Sequence, residues 1–88
     1  MKYFKRNWED IREDEFGNWG NSIWYFETDL KGAPIRQIEK YENGKVLKYH
    51  QNHLEDDFGM LGDQELDLEE FKAFEITKEE FEKNWNEQ

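Results

Sequence analysis

Ile35-Arg36-Gln37-Ile38-Glu39-Lys40-Tyr41-Glu42-Asn43-Gly44-Lys45-Val46-Leu47-Lys48-Tyr49-His50 reads as two strands folded about a tight turn. Asn43-Gly44 sits between β-branched and aromatic runs, and a type I′ turn needs positive φ at both central residues, which Asn and Gly adopt at low cost. Two-residue closure predicts the cross-strand pairs Tyr41–Val46, Lys40–Leu47, Glu39–Lys48 and Ile38–Tyr49. Ile38, Leu47 and Tyr49 then share one face, and Glu39 opposes Lys48 as a favourable charge pair on the other. Arg36 falls on the Ile38 face, where it calls for a carboxylate, and Glu27 on the preceding strand is the candidate.

Outward from this hairpin the pattern stays β. Ile23-Trp24-Tyr25-Phe26-Glu27-Thr28 is β-branched and aromatic, a strand by composition. Asp29 to Pro34 is a turn by its Gly and Pro. Residues 3–8 read as a short strand, and Glu9 to Asn21 as a polar loop or a loop with one helical turn. After the hairpin, Gln51 to Gln64 is an acidic loop, and Asp67-Leu68-Glu69-Glu70 starts a single helical turn. Phe71 to Ile76 is a weak strand or an irregular crossing. Thr77-Lys78-Glu79-Glu80 has the form of a capping box, so a helix runs from there to about Asn86. Phe81 and Trp85, four apart, give that helix one apolar face. The expected fold is α+β: a mostly antiparallel sheet of four or five strands with the C-terminal helix packed on it.

Eighty-eight residues make one domain with room for a single core. The core material is aromatic, with four Trp, four Tyr and seven Phe, each able to bury about 150–250 Å². Cysteine is absent, which removes disulfides and thiolate metal sites. No apolar run approaches the roughly 18 residues that span a bilayer. Met1-Lys2-Tyr3-Phe4-Lys5-Arg6 lacks the apolar stretch of a signal peptide, so the expected compartment is the cytoplasm.

The net charge of −10 is unevenly spread. Residues 51–70 hold eight acids and no base, whereas residues 30–50 hold five bases and two acids. Such acidity opposes nucleic acid and anionic membranes as partners and favours a basic protein. The chain itself is expected to be a monomer or a weak homodimer.

An acidic run followed by Phe-Gly occurs twice, in Glu13-Asp14-Glu15-Phe16-Gly17-Asn18-Trp19 and in Glu55-Asp56-Asp57-Phe58-Gly59. Glu13, Asp14, Glu15, Glu55, Asp56 and Asp57 are the candidate partner-binding acids, with Trp19 and Phe58 as candidate apolar anchors. Strand parity places the two loops at opposite ends of an antiparallel sheet, which opposes a joint site.

Other chemistry finds little support. His50-x-x-His53 has no third ligand in a fixed geometry and reads as solvated loop histidines. The acidic loops miss the EF-hand spacing. Ser22, the only serine, lies in no nucleophile elbow, and no phosphate-binding or dinucleotide fingerprint occurs. The residues assign no catalytic, cofactor or metal site, and the chain is read as a non-enzyme.

Trp24-Tyr25-x-Glu27-x-Asp29, Gly32, Ile35-Arg36-x-Ile38-Glu39-x-Tyr41-x-Asn43-Gly44 and Ile76-Thr77-x-x-Glu80-Phe81-x-x-x-Trp85, with Trp8 before them, resemble a family of small bacterial domains of unknown function. Members of that family usually carry a proline-containing, less acidic segment where this chain has Gly59 to Leu68. The resemblance implies a compact α+β fold and, for some members, association with toxin-immunity systems; it implies no catalytic residues. Together these readings point to an acidic binding protein, of the immunity or inhibitor kind, that neutralises a basic partner. The alternative is a general intracellular interaction or accessory domain.

Overall fold

Four strands run in chain order as an antiparallel meander: β1 (Lys2–Trp8), β2 (Ser22–Thr28), β3 (Pro34–Tyr41) and β4 (Val46–Tyr49). The computed structural model describes residues 1–8 and 17–87. A single-turn helix α1 (Leu68–Phe71) leads into a 3₁₀ turn at Lys72–Phe74, and α2 (Lys78–Asn86) closes the chain. This is the α+β arrangement expected from the sequence. Segment 71–76 is not a strand; its backbone meets β1 where Glu75 bridges Phe4 and the Ile76 N–H donates to the Tyr3 carbonyl at 2.8 Å. That contact covers part of the outer edge of β1, which would otherwise present unpaired backbone groups.

The central hairpin forms with a different register. The Tyr41 N–H donates to the Lys45 carbonyl at 2.9 Å, and the Gly44 N–H donates to the Tyr41 carbonyl at 2.9 Å. Only Gly44 of the turn has positive φ, at 92°. The loop is therefore Glu42-Asn43-Gly44, a three-residue turn with a left-handed glycine, rather than the two-residue type I′ turn. Asn43 contributes its side-chain oxygen, which accepts from the Lys45 N–H at 2.9 Å. The slip of one residue pairs Ile38 with Lys48, Glu39 with Leu47 and Gln37 with Tyr49. Ile38 and Tyr49 are not opposed, and Leu47 and Tyr49 lie on the face away from Ile38.

Both faces of the sheet are covered. On one, α2 packs Phe81 against Tyr3, Tyr25 and Ile38, with Ile23, Ile76 and Trp85 at the margin. Arg36 organises this layer. Its guanidinium forks onto Glu27 at 2.6 and 3.1 Å, hydrogen-bonds Glu82 of α2, and lies 4.9 Å from the ring centres of both Phe81 and Trp85. The expected Arg36–Glu27 pair is present. Thr77 caps α2 by accepting from the Glu80 N–H at 3.1 Å, and Lys48 of β4 donates to the Trp85 and Glu87 carbonyls at the other end. A cation there suits the negative end of the helix dipole.

Residues 50–74 cover the opposite face, which the sequence assigned to no element. Two clusters form there: Trp19, Tyr41, Leu47, Tyr49 and Leu61 under the 50–62 segment, and Phe4, Phe26 and Phe71 under α1. This explains why Ile23 to Phe26 is apolar without alternation, since the strand is flanked by packed layers on both sides.

Gly32 and Gly44 test the two turns of β3. At Gly32, φ is 96° and an added Cβ would lie 2.7 Å from the Leu66 carbonyl oxygen; at Gly44, φ is 92° and no atom lies within 4 Å. Gly44→Ala should cost about 1–2 kcal/mol of stability from the left-handed conformation alone. Gly32→Ala should cost more, because backbone must also move; denaturant unfolding of both variants measures the difference.

Acid titration tests the Arg36 node. The guanidinium, through its hydrogen bonds, holds the Glu27 carboxyl below its ordinary value of 4.5. A carboxylate that binds its proton less readily when folded contributes stability above the ordinary value, and that contribution is lost as pH falls through the lowered one. Glu27→Gln should be less stable than the native chain at pH 7 by about 3 kcal/mol. The gap should narrow below about pH 4, as read from urea unfolding across pH.

Candidate functional site

Beyond β4 the chain makes two successive tight turns. His50 and His53 exchange backbone hydrogen bonds at 3.1 and 2.9 Å, and the strand-like arms 54–56 and 59–61 pair through Glu55↔Met60. Asp56 fixes the tip between them. Its Oδ1 accepts from the Phe58 N–H at 2.8 Å, the Gly59 N–H at 3.1 Å and the Tyr49 hydroxyl at 2.9 Å, while Oδ2 lies 3.3 Å from His53 Nε2. Desolvation opposes ionisation of this carboxyl, but the Phe58 N–H, the Tyr49 hydroxyl, His53 and the Gly59 N–H outweigh it and hold its pKa below the ordinary range. Burial, aided by Asp56, pushes the Tyr49 hydroxyl far up, so the phenol stays a donor.

A second anchor lies one turn further on. Gln37, fully buried on β3, donates from Nε2 to the Met60 carbonyl at 3.2 Å and accepts the Gly62 N–H at 2.9 Å. The same amide donates to Glu39 at 2.7 Å, and the Tyr41 hydroxyl donates to Glu39 at 2.6 Å. The arm 60–62 is thereby tied to the sheet by side-chain hydrogen bonds, and the arm 54–56 to Tyr49 through Asp56.

Between this hairpin and the start of β3 opens a groove of about 450 Å³. Ala33, Pro34 and Leu61 line it together with Leu54 and Met60, and Glu55 and Asp63 border it. Leu54 and Met60 are 52% and 50% exposed, unusual for large apolar side chains on a chain whose other core residues are covered. Leu30, 73% exposed, stands in the turn that leads to Ala33. Among the described residues, no Lys, Arg or His lines the groove.

The sequence-nominated residues divide three ways. Glu13, Asp14 and Glu15 lie outside the described residues. Trp19 is buried against Tyr41, with ring centres 5.1 Å apart, and Phe58 packs on Trp19 at 5.4 Å. Both serve the core rather than standing out as anchors. Their contact also corrects the parity expectation: segment 50–62 folds back across the sheet, so Phe58 of the second run meets Trp19. Asp56 is a structural clamp, whereas Glu55 and Asp57 are exposed. His50 is half-buried with its ring edge-on to Trp85 at 5.7 Å, whereas His53 stacks on Tyr49 at 5.7 Å and stays exposed, as expected of a loop histidine. Among the described residues, no group of three or more His, Cys, Asp or Glu is placed to hold a metal ion.

The groove residues Leu54, Met60, Ala33 and Pro34 were missed. The available signal was Leu54 and Met60 themselves, apolar side chains on either side of the acidic Glu55-Asp56-Asp57 run.

Four bases of the described chain form ion pairs away from the groove. Lys5 pairs with Glu80 at 3.9 Å, Arg6 with Glu70 at 3.0 Å, Arg36 with Glu27 and Glu82, and Lys40 with Glu87 at 3.0 Å. Among the described residues no cation pairs with Glu55, Asp57, Asp63 or Glu65. Among these residues, too, no helix is long and apolar enough to cross a membrane. No protein-family model, curated protein or solved structure matches the chain.

Charge reversal should separate the clamp from its neighbours. Asp56→Lys removes three accepted hydrogen bonds and leaves the Tyr49 hydroxyl without its acceptor, which should cost about 1–3 kcal/mol. Glu55→Lys and Asp57→Lys should each stay within about 0.5 kcal/mol of the native chain. Thermal and denaturant unfolding of the three single variants decides this.

Proposed function

We propose that this chain is a non-enzymatic acidic binding protein that neutralises a basic protein partner, in the manner of an inhibitor or immunity protein. The observation that carries the reading is an apolar groove bordered by Glu55 and Asp63, carboxylates for which the described chain supplies no cation. A basic partner brings the missing charge. Complementary charge raises the association rate and penalises wrong partners more than it adds to affinity. The groove then supplies the short-range part of the interaction, because exposed Leu54 and Met60 leave water on contact. The family resemblance of the sequence, with its immunity association, is in keeping with this role.

A general accessory role, in which acidity only maintains solubility, has one observation in its favour. Exposed acid also occurs away from the groove, as at Glu79 on α2.

Affinity capture from the host with the native chain and a Glu55→Lys/Asp63→Lys variant discriminates the two. The captured partner should be basic, and its association rate should fall roughly tenfold or more in the variant and at high salt. Equal capture by native chain and variant, with folding intact, would overturn the proposal.

A further inference from the structure

We infer that the groove takes a short cationic segment of the partner that places one aliphatic side chain, of the Leu, Ile or Met type, beside Lys or Arg. The inference rests on the proposed binding role and specifies what that role recognises. The groove's lining sets the pattern. Ala33, Pro34, Leu54, Met60 and Leu61 make it mainly apolar, and Glu55 and Asp63 add acid to the same lining. An apolar side chain accompanied by cations is the complement of that lining.

The volume of about 450 Å³ accommodates a few side chains, so the occupant is a segment rather than a broad face of a folded domain. Pro34 has no backbone N–H to offer, which directs recognition to side chains rather than to an added strand. The walls are already in place: Asp56 holds the hairpin tip on Tyr49, and Gln37 holds residues 60 and 62 on β3. Binding therefore requires little ordering of the chain, which favours affinity. Met60 supplies the adaptable part of the wall, since its unbranched thioether repacks around aliphatic groups of different shape.

The probe is a fluorescein-labelled synthetic peptide of seven residues with leucine at its centre between paired lysines, compared with a serine-centred version and a glutamate-for-lysine version. Fluorescence anisotropy measures binding to the native full chain, to Leu54→Ala/Met60→Ala and to Glu55→Gln/Asp63→Asn. All four side chains are at the surface, and thermal unfolding checks that the variants fold. The leucine-centred peptide should bind the native chain, and the serine-centred peptide about tenfold more weakly or worse, as expected for losing one buried aliphatic group. Both double variants should lose a similar factor. Amide chemical shifts should move at Leu54, Met60 and Gly62.

Equal binding of the leucine- and serine-centred peptides would overturn the groove inference, because charge alone would then account for it. The binding role would survive that result if host capture still depended on Glu55 and Asp63. Absence of peptide binding together with charge-independent capture would overturn both.

Discussion

A three-residue turn closed by Gly44 at φ 92° decides which side chains of the hairpin meet the helix and which meet the loops. With Tyr41 bonded to Lys45, Arg36, Ile38, Lys40 and Lys48 face α2, while Gln37, Glu39, Tyr41, Leu47 and Tyr49 face segment 50–62. Each side then receives what it can satisfy. The bases of the helix side find Glu82, Asn84, Glu87 and the last carbonyls of α2. The aromatic and amide groups of the other side form the platform on which the 54–61 hairpin is fastened. A two-residue turn would exchange these sets across β4 and leave Lys48 buried among Trp19, Tyr41 and Leu61.

The strands, the capped C-terminal helix and the Arg36–Glu27 pair were legible because each rests on local chemistry. Ile23 to Phe26 has no helical period, Thr77 precedes a run with Glu three positions on, and a mid-strand Arg beside Ile38 demands an acid within reach. The register was not legible. Asn43-Gly44 satisfies a type I′ turn and a three-residue turn with glycine last, and the two differ only in which pairing buries Leu47 and Tyr49 better. That depends on residues 50–62, whose apolar members Leu54, Phe58, Met60 and Leu61 are dispersed among acids and show no period. The same dispersion concealed the second layer of the fold and the groove within it. Trp19 and Phe58 were misread for a related reason: an aromatic in an acidic loop looks exposed until the segment that covers it is located.

The charge map follows from the fold more than from composition. Lys and Arg occur mainly in the sheet, where they lie along apolar surface and reach acids of α1 and α2, as long cationic side chains do. Among the described residues, Glu55, Asp57, Asp63 and Glu65 have no Lys or Arg partner, and their segment packs on the aromatic face. Net charge and partner preference are therefore separate properties here. The −10 total would keep any small domain soluble, but the placing of Glu55 and Asp63 at one groove, with no described cation paired to either, is specific to the way residues 50–62 cross the sheet.

Within that segment, Asp56 and its two neighbours show why an acidic cluster should be resolved residue by residue. Asp56 uses its charge inward: two backbone N–H groups and a buried phenol hold it, and its loss would loosen the turn that positions Leu54 and Met60. Glu55 pairs through its backbone with Met60 and leaves its carboxylate at the groove margin. One acid thus shapes the site and the other offers it charge, although they are adjacent in the chain and identical in sign. The groove is consequently more than a gap between elements. Its apolar wall is kept open to solvent by hydrogen bonds on its far side, from Gln37 and Tyr49, whose own burial makes those bonds costly to break. Half-exposed aliphatic groups beside carboxylates that no described cation pairs with are the features on which the proposed binding of a cationic segment rests.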